Sequence, residues 1–141
     1  MSYAIMGITG QVGGAIARTL LSEGEKVRGI VRDPKRAQEW KSQGVELVMA
    51  DSHDALALAE AFRGTEGAFV MLPAEFDPKP DFPEARAISG ALAKAIEDAR
   101  PAKVVVLSSI GAHQPRGLGL ITNLHILEEA LKPLSVPSVF L

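Results

Sequence analysis

Gly7, Gly10 and Gly13 stand at three-residue spacing between the apolar segment Tyr3-Ala4-Ile5-Met6 and a segment whose apolar residues recur at helical spacing. The chemistry open to such a loop is anion binding. One glycine permits a tight turn, another lets the main chain approach a phosphate, and the third lets helix and strand pack closely. A pyrophosphate placed there meets unpaired amide N–H groups and the positive end of the helix dipole. The stretch Gly7, Thr9, Gly10, Gln11, Val12, Gly13 is therefore expected to cradle a dinucleotide. A turn packed for its own sake is the plainer alternative, and the order strand, loop, helix favours the nucleotide.

A second group of residues bears on which dinucleotide. Folds that prefer NAD place an acidic side chain roughly 20 residues past the glycines, where it accepts from the ribose 2′-hydroxyl. Arg32 occupies that place, at the end of the second apolar segment, with Lys35 and Arg36 within one helical turn. A guanidinium there pairs with a 2′-phosphate, so NADP(H) is favoured over NAD(H). Asp33 is the competing residue: if it faces the ribose in place of Arg32, the preference weakens or reverses. A solvated helix start is the other reading of these basic residues.

No metal site is expected. His53 and His113 fall in predicted loops without metal-ligand spacing, and the chain has no cysteine. The absence of cysteine also excludes disulfides and a thiol nucleophile, and is compatible with a cytoplasmic location.

The elements that must position these groups follow from periodicity. Val12, Ile16, Ala17, Leu20 and Leu21 mark a first helix to about Ser22, stopped by Gly24. Residues 26–31 form a second strand, after which Asp33 is a plausible N-cap with Pro34 at the first helical position. A second helix is predicted over 35–43, a third strand over 45–49, and a third helix marked by Leu56, Ala59 and Phe62. The run 67–72 is apolar throughout, as in strands buried on both faces of a parallel sheet. Residues 73–83 hold four of the nine prolines and read as a loop. A longer helix marked by Ile88, Leu92, Ala95, Ile96 and Ala99 precedes a fifth strand at 103–108. A glycine-rich loop at 110–119 leads to a last helix with Ile121, Leu124, Leu127 and Leu131 on one face, then the start of a sixth strand at 136–141. The alternation implies an α/β fold, a doubly wound parallel sheet of order 3-2-1-4-5 with any sixth strand at the edge, and right-handed crossovers.

Composition sets the outer bounds. At 141 residues the chain is long enough for one core and short for two ordinary domains, so one domain, 1–141, is expected. With 47% apolar and 23% charged residues and a net charge of −2, it offers no electrostatic case for nucleic acid or an anionic membrane. The uncharged first 17 residues carry four glycines and no basic leader, which argues against a signal or spanning segment.

Taken together, Gly7-Ile8-Thr9-Gly10-Gln11-Val12-Gly13, Val31-Arg32-Asp33-Pro34, Gly44-Val45-Glu46 with Asp51, and Leu107-Ser108-Ser109-Ile110-Gly111-Ala112 resemble the NmrA-like branch of atypical short-chain dehydrogenase/reductases. The likeness extends to residues 124–131 followed by Val136-Pro137. It implies an NADPH-dependent reductase of a quinone-like or similar small electrophile, or else a redox regulator that binds NADP without turning it over and acts through a protein partner. It also implies that Asp51, with Ser52 beside it, meets the adenine amino group, although Ser52 or Asp54 serves equally as a helix cap. The same likeness puts backbone of Leu72 and Pro73 along the pyrophosphate and ribose. Ser108 and Ser109 fall beside the nicotinamide with side chains able to donate or accept, which makes Ser108 a catalytic candidate together with His125; a plain strand-end turn is the alternative. His125 falls where some relatives carry a lysine or histidine; it could orient the nicotinamide ribose or relay a proton, or simply pack beside Leu124.

Two departures matter. Typical short-chain dehydrogenases use a tyrosine and a lysine four residues apart after the fifth strand. Here the only tyrosine is Tyr3 and the only lysine after Lys103 is Lys132. The resemblance also implies roughly as much chain again, forming a substrate domain. The chain ends on Val139-Phe140-Leu141, so either a fragment is expected or a second copy shielding that strand edge. The substrate is not legible.

Overall fold

The computed structural model describes every residue except 74–77, 110–111 and 113–120. The predicted glycine-rich loop, His113 and part of the proline-rich loop therefore lie outside the described residues, Ala112 apart. Six parallel strands form one sheet in the order β3-β2-β1-β4-β5-β6. They are β1 (Ser2–Met6), β2 (Lys26–Val31), β3 (Glu46–Met49), β4 (Gly67–Val70), β5 (Lys103–Val106) and β6 (Ser138–Phe140). The helices between them are α1 (Gln11–Ser22), α2 (Gln38–Ser42), α3 (Ala55–Phe62), α4 (Pro83–Ala99) and α5 (Ile121–Leu131). The predicted sixth strand is present at the edge, with Val105 opposite Val139.

Pleating divides the core in two. Ala4, Met6, Ala68, Val70, Val104 and Val106 face α3, α4 and α5, whose Leu58, Phe62, Leu92, Ile96, Leu127 and Leu131 are buried against them. Ile5, Val27, Val31 and Phe69 face the other way, toward Ala17 of α1 and Trp40 of α2. Alternate residues of one strand thus feed both layers, which is why these strands read as unbroken apolar runs. Burying such side chains contributes on the order of 2 kcal/mol each, the main stabilising term of the fold.

Winding reverses between β1 and β4, and that reversal opens a crevice beyond the carboxyl ends of these two strands. Arg28 of β2 holds α3 in place beneath it. Its Nη1 donates to the Ala61 and Arg63 carbonyls at 2.8 and 2.9 Å, and its Nε to Glu46 at 3.2 Å. A cation at the end of α3 meets the carbonyls that no later turn satisfies. On leaving α1, α2 and α3 the chain turns through Gly24, Gly44 and Gly64, each with positive φ, and on leaving α4 through Arg100.

Several boundaries differ from expectation. The second helix is a 3₁₀ turn over Pro34–Ala37 followed by only five α-helical residues. Asp33 caps the turn as predicted, its Oδ1 accepting from the Lys35 N–H at 3.0 Å. The expected strands ending at 72 and 108 stop at Val70 and Val106, yet ladder bonding runs further, from Leu107 N–H to the Val70 carbonyl and from Ser108 N–H to the Leu141 carbonyl. α4 starts at Pro83, five residues ahead of its first marker Ile88, because proline suits the first turn where its missing N–H costs nothing.

Candidate functional site

The glycine loop leaves β1 through Gly7 at φ +65 and folds back on itself, the Gly10 N–H donating to the Gly7 carbonyl at 2.9 Å and the Gly14 N–H to the Gly10 carbonyl at 3.0 Å. A Cβ on Gly7 would lie 2.5 Å from Sδ of Met71, and one on Gly13 would overlap the Gly7 carbonyl and lie 2.8 Å from the Met6 oxygen. Both positions therefore favour glycine, for the positive φ at Gly7 and for close approach to main chain at Gly13. Gly10 is the N-cap of α1 and no side chain caps this helix, whereas Asp33 and Asp54 cap the turn before α2 and the start of α3. The first-turn amides at Gln11 and Val12 thus open toward the rim, beside the exposed Thr9.

Three adjoining cavities lie along this rim, and Arg32 lines all of them. The first, about 230 Å³, is bounded by Gly7, Thr9, Arg32, Ser52, Met71 and Pro73. The second holds Arg32, Asp51, Ser52, His53, Pro73 and Glu84. The third is formed by Thr9, Arg32, Asp33 and Arg36. Lys35 stands exposed on the turn outside these cavities, and Leu72 is half-buried against the α3 to α5 side of the core. Asp33 has spent one carboxylate oxygen on its cap. The cap of α3 is Asp54, with Oδ1 accepting from the Ala57 N–H at 3.1 Å, which leaves Ser52 to line the cavities.

Asp51 is not isolated. Its Oδ1 accepts from the His53 main-chain N–H at 2.8 Å and meets His53 Nδ1 at 2.9 Å. The other ring nitrogen lies 2.9 Å from Oε1 and 3.0 Å from Oε2 of Glu84, in the first turn of α4. The main-chain hydrogen bond from His53, then that from its ring, holds the Asp51 carboxyl below the ordinary range, helped by the charges of His53 and Arg32. The Asp51 bond first and the Glu84 bond second raise the His53 ring above 6.5, against a smaller opposing effect of burial. Sequence reasoning missed this bridge, and also Met71 beneath Gly7.

At the other end, Ser108 donates to Oε1 of Glu128 at 2.7 Å. Ser109 is exposed, and its carbonyl accepts from the Ala112 N–H at 3.1 Å. His125 Nδ1 lies 2.8 Å from the Ala112 carbonyl, which can only accept, so Nδ1 carries the proton and Nε2 keeps the lone pair in the neutral ring. His125 lines a separate, wide cavity of about 800 Å³ between α4 and α5, with Phe82, Arg86, Ser89, Thr122 and Glu129. Ser108 is not among the residues lining it, so the two proposed catalytic side chains do not share one cavity. Among the described residues no group of three or more His, Asp or Glu is arranged to hold a metal ion, and no helix is long and apolar enough to cross a membrane.

Comparison with known proteins gives the family and the fold. The profile of the NmrA-like family matches residues 2–124. The chain is 44% identical over 69 residues to the NmrA-like family domain-containing oxidoreductase himF of Aspergillus japonicus, an alignment covering 47% of this chain and 21% of that protein. It is 34% identical over 74 residues to quinone oxidoreductase 2 of Escherichia coli, covering 51% of this chain and 26% of that protein. Among solved structures, Citrobacter sp. triphenylmethane reductase complexed with NADP(H) superposes with a TM-score of 0.82 at 23% identity, over 99% of this chain and 48% of that one. The chain thus spans about half the length of that structure.

Proposed function

Because this chain belongs to the NmrA-like family, we propose that it is the dinucleotide-binding part of an oxidoreductase, taking NADP(H) in preference to NAD(H) and passing hydride from NADPH to a quinone-like or similar small electrophile. The observation that carries the reading is the glycine loop, in which Gly7 turns the chain at positive φ, Gly13 lets the first helical turn pack directly on the Gly7 main chain, and the start of α1 carries no side-chain cap. Arg32 supports the cofactor preference: it lines every cavity along the rim, with Arg36 in the third, while Asp33 is engaged in its cap. When bound, the reduced nicotinamide supplies the hydride. This chain's residues bind and orient: loop amides for the pyrophosphate, Arg32 for a 2′-phosphate, Asp51 for the adenine amino group, and the Ser108 oxygen, whose O–H donates to Glu128, as an acceptor near the nicotinamide. That E. coli quinone oxidoreductase 2 and a triphenylmethane reductase resemble the chain supports a flat, conjugated acceptor.

A second reading, a non-catalytic NADP sensor acting through a protein partner, is favoured by one observation: no tyrosine and lysine stand four residues apart after β5. Calorimetric titration with NADP⁺ and NAD⁺, set beside NADPH oxidation with a panel of quinones and azo dyes, separates the two. Tight NADP⁺ binding with turnover supports the reductase; binding without turnover, in a version carrying a substrate domain too, supports the sensor. No binding of either nucleotide rejects both.

A further inference from the structure

We propose that His53 is a positioning residue for the adenine end of the dinucleotide: bonded at once to Asp51 and Glu84, its ring fixes the carboxylate that meets the adenine amino group and pins the start of α4 to the rim of the cleft. The inference rests on the dinucleotide reading above. Both partners are carboxylates, and an ionised carboxylate only accepts hydrogen bonds. A ring held by both must donate from Nδ1 and Nε2 together, 2.9 Å from Asp51 Oδ1 and 2.9 Å from Glu84 Oε1, which makes it an imidazolium. A neutral ring could serve one carboxylate only and would turn a lone pair toward the other.

The placement gives the bridge its purpose. Asp51 and His53 belong to the connection between β3 and α3, Glu84 to the first turn of α4, and the cavity they share is bounded also by Arg32, Ser52, Pro73 and Ile88. His53 directs two donors, main-chain N–H and ring, onto one oxygen of Asp51. Oδ2 is the oxygen left for a ligand amine, in a carboxylate that can no longer rotate freely. The charged groups around the ring are Asp51 and Asp54 from its own connection, Arg32 from the end of β2 and Glu84 from α4; Asp54 is occupied in capping α3. The ring's raised pKa agrees with this arrangement, because two acceptors outweigh the cost of partial burial. As pH rises through that value the ring keeps a single N–H donor, the link between Asp51 and Glu84 opens on one side, and affinity for the adenosine half declines.

The test is calorimetry of NAD⁺ and NADP⁺ with the whole chain between about pH 6 and about pH 9, in the native protein and in His53→Gln and Glu84→Gln. NAD⁺ has no 2′-phosphate to titrate, so its series isolates the histidine. The expected result is a native dissociation constant that rises about three- to tenfold across the range, the worth of one or two exposed ion pairs, and that is flat in His53→Gln. Glu84→Gln, which keeps an acceptor but removes a charge, should shift the midpoint of the slope downward. The His53 ring signal in the native protein, followed by NMR, should titrate above 6.5 and move on nucleotide binding. Identical slopes in native and His53→Gln protein, or a ring titrating at or below its ordinary value, overturn the proposal while leaving the dinucleotide reading intact. Absence of nucleotide binding at every pH overturns both.

Discussion

Ser108 donates a hydrogen bond from its hydroxyl to Oε1 of Glu128 across 2.7 Å, tying the end of β5 to the buried side of α5. Glu128 is only 9% exposed, and its other oxygen lies 4.0 Å from Lys132 Nζ. Ser108 is consequently an acceptor toward any ligand and not a proton donor. Ser108→Ala strands a carboxylate oxygen and is expected to cost about 1–3 kcal/mol in urea denaturation. Glu128→Gln, which keeps an acceptor in place, should cost less; the reverse order would show that the pair does not govern this contact.

Gly13 and Gly90 form a matched pair of glycines within helices. At Gly13 an added methyl meets main chain that cannot step aside, and at Gly90 it meets nothing within 4 Å. Gly13→Ala should therefore lower the melting temperature and abolish NADP⁺ binding. Gly90→Ala should raise stability by about 0.5–1 kcal/mol through helix propensity and leave binding unchanged. Equal behaviour of the two would mean that the cradle is not close-packed.

Arg32→Glu replaces the cation shared by three cavities with an anion. NADP⁺ affinity should fall about tenfold or more, as when a charge-assisted pair to phosphate is lost, with NAD⁺ affinity held within about threefold. Equal losses measured calorimetrically would reduce Arg32 to a structural residue.

Glu97 on α4 accepts from the Ser135 N–H at 2.9 Å and from the Ser135 hydroxyl at 3.1 Å. The main-chain bond first, then the hydroxyl and Arg100, lower its carboxyl below 4.5. A carboxylate lowered by folding stabilises the native state above its unfolded value, and that stabilisation is lost as pH falls through the folded value. Glu97→Ala should melt below the native protein near neutrality, with the gap closing as pH drops beneath 4.5. A gap that persisted in acid would assign the loss to packing.

The sheet was legible because its signals are local: short apolar runs separated by helical periodicity admit few arrangements other than parallel crossovers. The second helix is less legible: the Asp33 cap and Pro34 mark where it starts but not its type, and a 3₁₀ turn over Pro34–Ala37 precedes only five α-helical residues. In the cleft, the glycine loop could be read since all its parts lie within seven residues, from Gly7 to Gly13. The His53–Glu84 bridge joins residues 31 apart and the Ser108–Glu128 bond residues 20 apart. No periodicity encodes such pairs; they exist only once α4 and α5 have packed onto the sheet.

Since all six strands run the same way, the polypeptide enters each at one rim and leaves at the other. The candidate site lies where it leaves. Gly24, Gly44 and Gly64 stand where it enters, and nothing lies within 4 Å of a side-chain carbon added at any of them. Peptide tags or reporter loops grafted at those three turns would ride on the molecule's far side, out of touch with the candidate site.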